Sequence, residues 1–507
     1  MANPVSSGLR LVAAGWVLVR HDALAPRELD PLLPPAVRWI ASVLRLFAGR
    51  RARQGRPGER VARALQQLGP VAIKLGQVLA TRADVFGIQF ANDLGHLKDR
   101  LPPFPGDVAR AEIEAALGVP VERLFIAFDD EPRGAASLAQ AHEAVFRDGR
   151  RVAVKVLRPR IERRVVDDIA VMRLGADLVH ALAPIARRLE PRAFVETVAR
   201  SLMLELDMRM EAGAADELCA VMDQDAYMRA PKVVWEGVGR RCLTLEWAPG
   251  MRLSDPAAVE QPGIDRRGLA NNVVRAFLSQ ALDHGVFHAD LHEGNLFVEP
   301  PARLTAVDFG IIGRLSKDER RYLAEILWGF IQRDYMQVAR AHFDAGYVPA
   351  GHSMELFAQA LRSVGEPVIG RPASEVSMGR LLGQLFEITA LFDMHLRPEL
   401  VLLQKTMVTV EGVARRIDPD NDLWSAAQPV VERWMQRELS PVSRAKEAVD
   451  HLVRAAKALV RLAEIQPAAS VVVAEKRDPL VGWALGVGVA GLLAGAAALG
   501  FAIGAIG

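Results

Sequence analysis

Eleven residues constrain this chain more than any other feature: His288-Ala-Asp290-Leu-His-Glu-Gly-Asn295 and, after a short apolar stretch, Asp308-Phe309-Gly310. Asn295 follows Asp290 by five residues, and Asp308 follows Asn295 by thirteen. Asp and Asn are ordinary turn residues, and D-F-G alone is common, so the weight falls on the ordered set. Leu296-Phe-Val and Leu304-Thr-Ala-Val fit short strands around it. Phosphoryl transfer needs these residue types because the protein does little covalent work there. One carboxylate handles the acceptor hydroxyl, while an amide and a second carboxylate hold the Mg²⁺ ions that bridge the phosphates.

The bulk numbers bound the class. A chain of 507 residues, 50% hydrophobic and 24% charged with a net charge of +2, has a large core and two or three units. That balance argues against a disordered or nucleic-acid-binding chain. Cys219 and Cys242 form no disulfide framework and no metal-ligand spacing, so a reducing compartment is inferred. Of 63 basic residues only nine are lysine, which draws attention to Lys74 and Lys155.

The last 29 residues, Pro479 to Gly507, carry no charge. About 20 apolar residues span a bilayer as a helix, so 479–507 reads as a transmembrane anchor. Lys476 and Arg477 precede it, which keeps the catalytic part cytoplasmic. Near the other end, Leu11 to Val19 is apolar but bracketed by Arg10, Arg20 and His21, which suits an amphipathic surface helix better than a cleaved signal. Both ends are expected to touch lipid.

Between these ends the period changes along the chain. Residues 1–58 form an amphipathic, helical segment and 59–122 a helical extension broken by Leu101-Pro-Pro-Phe-Pro105. From 123 to 247 the pattern is sheet-rich, with strands at Leu124–Phe128, Leu138–Phe146 and Arg151–Leu157, and Arg147-Asp148-Gly149-Arg150 as a hairpin turn. Val233-Val-Trp and Cys242-Leu-Thr-Leu-Glu246-Trp are further strand candidates. Residues 248–465 are mostly helical, with Ile311-Ile-Gly-Arg-Leu-Ser running directly towards helix, and 466–478 is a linker. The fold class is therefore α/β (α+β) and bilobal.

Val152-Ala-Val-Lys155 reads as a strand whose lysine contacts nucleotide phosphates and is held by a carboxylate from a following helix. Glu205, Asp207 and Glu211, read as one helix, are the candidates, and Glu211 is the chosen partner. Glu246-Trp-Ala-Pro-Gly250 falls at the interlobe hinge, where the Glu246 and Ala248 backbone would meet adenine. Where a glycine-rich loop is usual, this chain has Gly134-Ala135-Ala136-Ser137-Leu-Ala-Gln140. Alanines stiffen such a loop, and Ser137 and Gln140 offer side-chain donors in place of close backbone approach. Upstream, Lys74-Leu-Gly76-Gln77 puts Lys74 and Gln77 on one helix face. Gly76 in mid-helix costs about 1 kcal/mol against Ala, so something should approach closely there.

Together these motifs resemble the UbiB-like family of atypical kinases, over about residues 60 to 315. The resemblance implies a protein-kinase-like fold with an N-terminal helical extension across the active site and a C-terminal transmembrane segment in an inner bacterial membrane. It implies ATP and Mg²⁺ as cofactors, with Asp290, Lys155 and Glu211 catalytic, Ala135, Ala136, Ser137, Gln140, Lys155, Glu246 and Ala248 around the nucleotide, and Asn295 and Asp308 on metal. Lys74, Gln77, Glu205 and Asp207 would be regulatory, with Lys74 near Glu205 and Asp207. Its implied partners are membrane lipids, quinone or polyprenylphenol precursors and other ubiquinone-biosynthesis enzymes, and it admits a homodimer. Older naming makes members hydroxylases of a polyprenylphenol, but no flavin, haem or metal-oxygenase site is present. Two rivals stand beside a kinase or ATPase acting on a lipid: a protein kinase acting on a partner, which the missing A-P-E disfavours, and a nucleotide-sensing scaffold, which the intact Asp290, Asn295 and Asp308 disfavour.

Overall fold

Strand Arg151–Leu157 shows how the sheet is specified. Val152, Val154 and Val156 are fully buried on one face, so strand alternation turns Lys155 to the other. The valines pack with Phe125, Phe146 and Ile113, each side chain contributing about 1.5–3 kcal/mol by burial.

The structure, a computed structural model, describes residues 4–24, 35–48, 54–80, 88–95, 97, 102–182, 190–367, 384, 387–389, 391–394 and 398–438. The chain forms two compact units, Met1–Val431 and Glu432–Gly507. Of the second, only the end of helix Leu423–Glu438 is described. Segment 479–507, read as an anchor, lies outside the described residues. Among the described residues no helix is long and apolar enough to cross a membrane.

The main sheet runs β1 (Phe125–Phe128), β3 (Ala139–Phe146), β4 (Arg151–Leu157), β5 (Cys242–Glu246), with β2 (Gly134–Ala135) also pairing β3. All pairs are antiparallel, and Lys155 sits opposite Ala141 on β3 and Leu243 on β5. The β3–β4 turn carries Gly149 at φ +88°, the left-handed conformation a tight hairpin requires. The following half holds two small sheets. One is β6 (Met251–Arg252), β8 (Leu296–Glu299) and β9 (Arg303–Ala306); the other pairs β7 (Val286–His288) with β10 (Ile312–Arg314). Several helices of this half begin at a polar cap: Asp265 accepts from the Gly268 amide at 2.9 Å, and Ser316 with Glu319 forms a capping box.

Two expectations are corrected. Val233-Val-Trp is not a strand: Val233 makes one bridge to Leu245, and Trp235–Gly237 closes a 3₁₀ turn. Past Ile311 the chain heads for helix Lys317–Ile331 as expected, and on the way β10 pairs Ile312 with His288. Glu205, Asp207 and Glu211 do not share a helix. Pro191–Glu205 ends at Leu206, and Asp207 caps a new helix, Met208–Met222, by accepting from the Arg209 amide at 3.1 Å.

The β7–β10 ladder fixes the strand leading into Asp290, and Gly313 makes it possible. A Cβ there would overlap the Cζ edge of the Phe287 ring, which is itself fully buried. Gly313→Ala should therefore cost about 1–3 kcal/mol by overpacking. Urea unfolding reads this, and a wild-type midpoint would show that the ring has room to move.

Candidate active site

The loop after β7 is held by side chains used as rivets. His288 is fully buried; its Nδ1 accepts the Asp290 amide at 3.1 Å, which leaves Nε2–H to donate to the Val307 carbonyl at 3.2 Å. Burial lowers its pKa, so it stays neutral. Gln280 accepts the His288 amide at 3.0 Å, and the buried Thr406 hydroxyl donates to the Ala289 carbonyl at 3.1 Å. Asn295 Nδ2 donates to the Asp290 carbonyl at 3.1 Å and lies 3.5 Å from its Oδ2, with His292 Nε2 at 3.6 Å from the same oxygen. The base-position carboxylate and the Asn295 amide are thus brought together as the motif requires. Gln280 and Thr406 carry no motif, and nothing in the sequence marks them.

Lys155 is the second centre. Its Nζ donates to Glu211 Oε1 and Oε2 at 2.7 and 3.0 Å and to Asp308 Oδ1 at 3.1 Å. Burial opposes the ammonium, but Asp308 and Glu211 outweigh it and its pKa rises. Lys155 holds the Asp308 carboxyl down at about 2, with Lys74 adding a smaller pull. Burial pushes Glu211 up against the attraction of Lys155. Asp308 sits at φ +65°, a conformation that Asp tolerates and most residues do not. Glu211 is therefore the partner of Lys155, as expected, and Asp308 shares it.

Because Asp308 titrates near 2 against an ordinary 3.8, its attraction to Lys155 stabilises the fold above that ordinary value and is lost as pH falls toward 2. The Lys155 contribution is present below its ordinary 10.5 and lost at more alkaline pH. Asp308 is 48% exposed, so water screens part of this. Lys155→Met should cost about 1–2 kcal/mol at neutral pH, less than a fully buried pair would. Its urea midpoint should also fall less steeply than wild type between about pH 5 and pH 3. Parallel acid profiles for the two proteins would count against the assignment.

The extension reaches this cleft. Lys74, on helix Pro70–Ala80, pairs with Glu205 at 2.8 Å, both largely buried. Gln77 lies half-buried one turn on. Asp207 caps its helix and binds Arg209 at 2.8 and 2.6 Å. Arg209 is the first cause of its lowered pKa. Gly76 has the close approach its position implies, since a Cβ there would overlap Leu97 and Leu65.

The alanine loop is tied inward. Ala135 pairs with Gln140, the Ala136 amide donates to the Ala139 carbonyl at 2.8 Å, and Arg158 donates to the Ala136 carbonyl at 2.8 and 3.1 Å. Gln140 is a correction. Its amide accepts from Phe104 N at 2.9 Å, donates to Phe104 O at 3.0 Å and lies 2.8 Å from His142 Nε2. It clamps the extension, not a phosphate. Ser137 is buried as well. At the hinge the Glu246 amide donates to the Lys232 carbonyl at 2.9 Å, its carboxylate binds Arg150 at 2.9 Å, and Ala248 is buried.

Against known proteins, the ABC1 atypical kinase-like domain matches residues 96–342, and the UbiB helical domain matches 361–422. The "Probable protein kinase UbiB" of Marinobacter nauticus is 38% identical over 449 residues, covering 87% of this chain and 81% of that protein. The protein of the same name from Tolumonas auensis is 40% identical over 439 residues, covering 85% and 80%. This chain belongs to the UbiB family. A solved Mycobacterium tuberculosis protein in complex with erythromycin matches at TM-score 0.52 and 20% identity, over 65% of this chain and 83% of that one; it supports the kinase-like fold alone. Lys155, Glu211, Asp290, Asn295 and Asp308 all lie inside the ABC1 match. In the UbiB-family chain the Lys74 helix lies just before it.

Kinase-like domains use ATP, typically with Mg²⁺, and the residues here suit that cation. With Nδ2 committed to Asp290, the Asn295 amide oxygen would be the atom offered to a metal, and Asp308 is ionised above about pH 2. Two oxygen donors, with water and phosphate completing the shell, is an ordinary Mg²⁺ set. Among the described residues no cluster of three or more His, Cys, Asp or Glu could hold a metal instead.

Proposed function

We propose that this chain is an ATP- and Mg²⁺-dependent kinase or ATPase that supports ubiquinone biosynthesis by acting on, or presenting, a membrane-borne quinone precursor. The observation that carries this is the Lys155 ammonium held between Glu211 and Asp308. In this reading the Lys155 ammonium contacts phosphate oxygens, held in place by Glu211. Asn295 and Asp308 would hold Mg²⁺, which supplies charge neutralisation on the phosphates. Asp290 orients the attacking oxygen and takes its proton. The Ala248 amide has no backbone partner among the described residues, and it and the Glu246 carbonyl would meet the adenine edge. Ala135 and Ala136 would line the phosphates from above.

The Lys74–Glu205 pair supports a small or lipidic acceptor, because it holds a helix of this chain close enough for Lys74 to act on Asp308. A protein kinase acting on a partner, the activity in the relatives' name, would need that helix to leave. The working unit would combine the extension (59–122), the sheet lobe (123–247) and the helical lobe (248–465), with 479–507 as the anchor. The test is phosphate release with ATP and Mg²⁺, with and without vesicles carrying a phenolic headgroup mimic. Stimulation of several-fold is expected. Equal rates with and without lipid would remove the membrane-borne acceptor from the reading.

A further inference from the structure

Helix Pro4–Arg20 carries an apolar stripe on its outer side. Leu9, Val12 and Trp16 lie at i, i+3 and i+7, one stripe, and are 69%, 71% and 48% exposed. Its inner side is held by the buried Val19 and by ion pairs. Arg10 pairs with Asp167 and Asp168 at 3.2 and 3.5 Å, and just beyond the helix Asp22 and Arg60 form a buried pair at 3.1 Å. The stripe continues onto the next segment. The Trp16 ring meets Phe47 at 5.7 Å, and Phe47, Leu46 and Trp39 are all exposed. Six large apolar side chains in contact with water are unfavourable by about 25 cal/mol per Å² unless something covers them.

Charge and residue type choose the occupant. Residues 1–58 contain nine arginines against three acidic residues, Asp22, Glu28 and Asp30. Asp22 is already neutralised by Arg60. Arg20 and Arg38 lie exposed beside the stripe, and Arg45 lies half-exposed next to Leu46. Tryptophan and leucine pointing outward with arginine beside them is the composition of a surface that sits in an anionic headgroup layer. A second copy of this chain would bring two such basic faces together, which like charges oppose.

We infer that helix Pro4–Arg20 and residues 38–48 form a docking face for an anionic phospholipid bilayer, separate from segment 479–507. This goes beyond the phosphoryl-transfer reading and does not depend on it. It would present the kinase-like part to the membrane in a fixed orientation.

The test uses the full chain carrying one environment-sensitive fluorophore on Leu46→Cys or, as control, on Leu356→Cys, an exposed position of helix Met354–Gly365. Cys219 and Cys242 are buried and leave the label specific. Vesicles of phosphatidylcholine alone are compared with equal parts phosphatidylcholine and phosphatidylglycerol, with brominated acyl chains as quencher. The reporter at Leu46 should blue-shift and be quenched, more so with phosphatidylglycerol, while that at Leu356 stays unchanged. Adding Arg38→Glu and Arg45→Glu should weaken the response about tenfold. Equal quenching at both sites, or none at Leu46, overturns the inference. So does shielding that needs no vesicles and grows with protein concentration, which would mean a second copy covers the face. Phosphate release is not the readout, so a failure here leaves the catalytic reading standing, and the reverse holds too.

Discussion

Asp290→Asn should lower phosphate release by about 10²–10⁴-fold while nucleotide affinity stays within about twofold. The substitution is close to isosteric, and the contacts that shape the loop are backbone ones that survive it. The Asp290 amide still reaches His288 Nδ1, and its carbonyl still receives Asn295 Nδ2. What disappears is an acceptor able to take a proton, next to His292 at 3.6 Å. Lys155, Glu211 and Asp308 are untouched, so binding should persist. Phosphate release and nucleotide titration on the same preparation read both quantities, and quinone intermediates in cells add a third. A variant that binds nucleotide, releases no phosphate and yet restores quinone synthesis would identify a scaffold. A variant with wild-type turnover would remove Asp290 from the chemistry.

Much of this site was legible because its residues are consecutive. Asp290, Asn295 and Asp308 lie on short loops between apolar strands, and Lys155 is one of nine lysines in an arginine-rich chain. The alternation of Val152, Val154 and Val156 already turned Lys155 to the opposite face. Contacts made across long separations were not legible. Gln140 looked like a phosphate donor because nothing nearby claims it; its partner Phe104 is 36 residues upstream on the extension. Thr406 sits 117 residues after the carbonyl it holds. Glu205 to Glu211 kept helical spacing through Leu206 and Met208, and only the Asp207 cap breaks it. A cap competes locally with helix continuation, and its outcome depends on tertiary packing that periodicity does not contain.

Gly250→Ala should be among the most damaging single-methyl changes in the chain, about 3 kcal/mol or more. Gly250 ends the hinge between β5 and β6 at φ +85°, where an L side chain is strained. Its new Cβ would also overlap the carbonyl oxygen of Val298, which is backbone and cannot rotate away. Val298 lies in β8, the central strand of its three-stranded sheet, between Met251 on β6 and Leu304 on β9. Relief therefore means parting β6 from β8, which moves the hinge itself. Stability and apparent ATP affinity should fall together. Gly412→Ala is the matched control: it adds the same methyl in helix Pro398–Ile417, at a position with ordinary φ and nothing within 4 Å. Helix propensity alone should make that variant about 0.5–1 kcal/mol more stable. Urea midpoints for the pair, with ATP KM at fixed Mg²⁺, decide the point. If Gly250→Ala unfolds no earlier than wild type, the hinge has slack and the Glu246–Gly250 segment does not set the spacing of the nucleotide cleft.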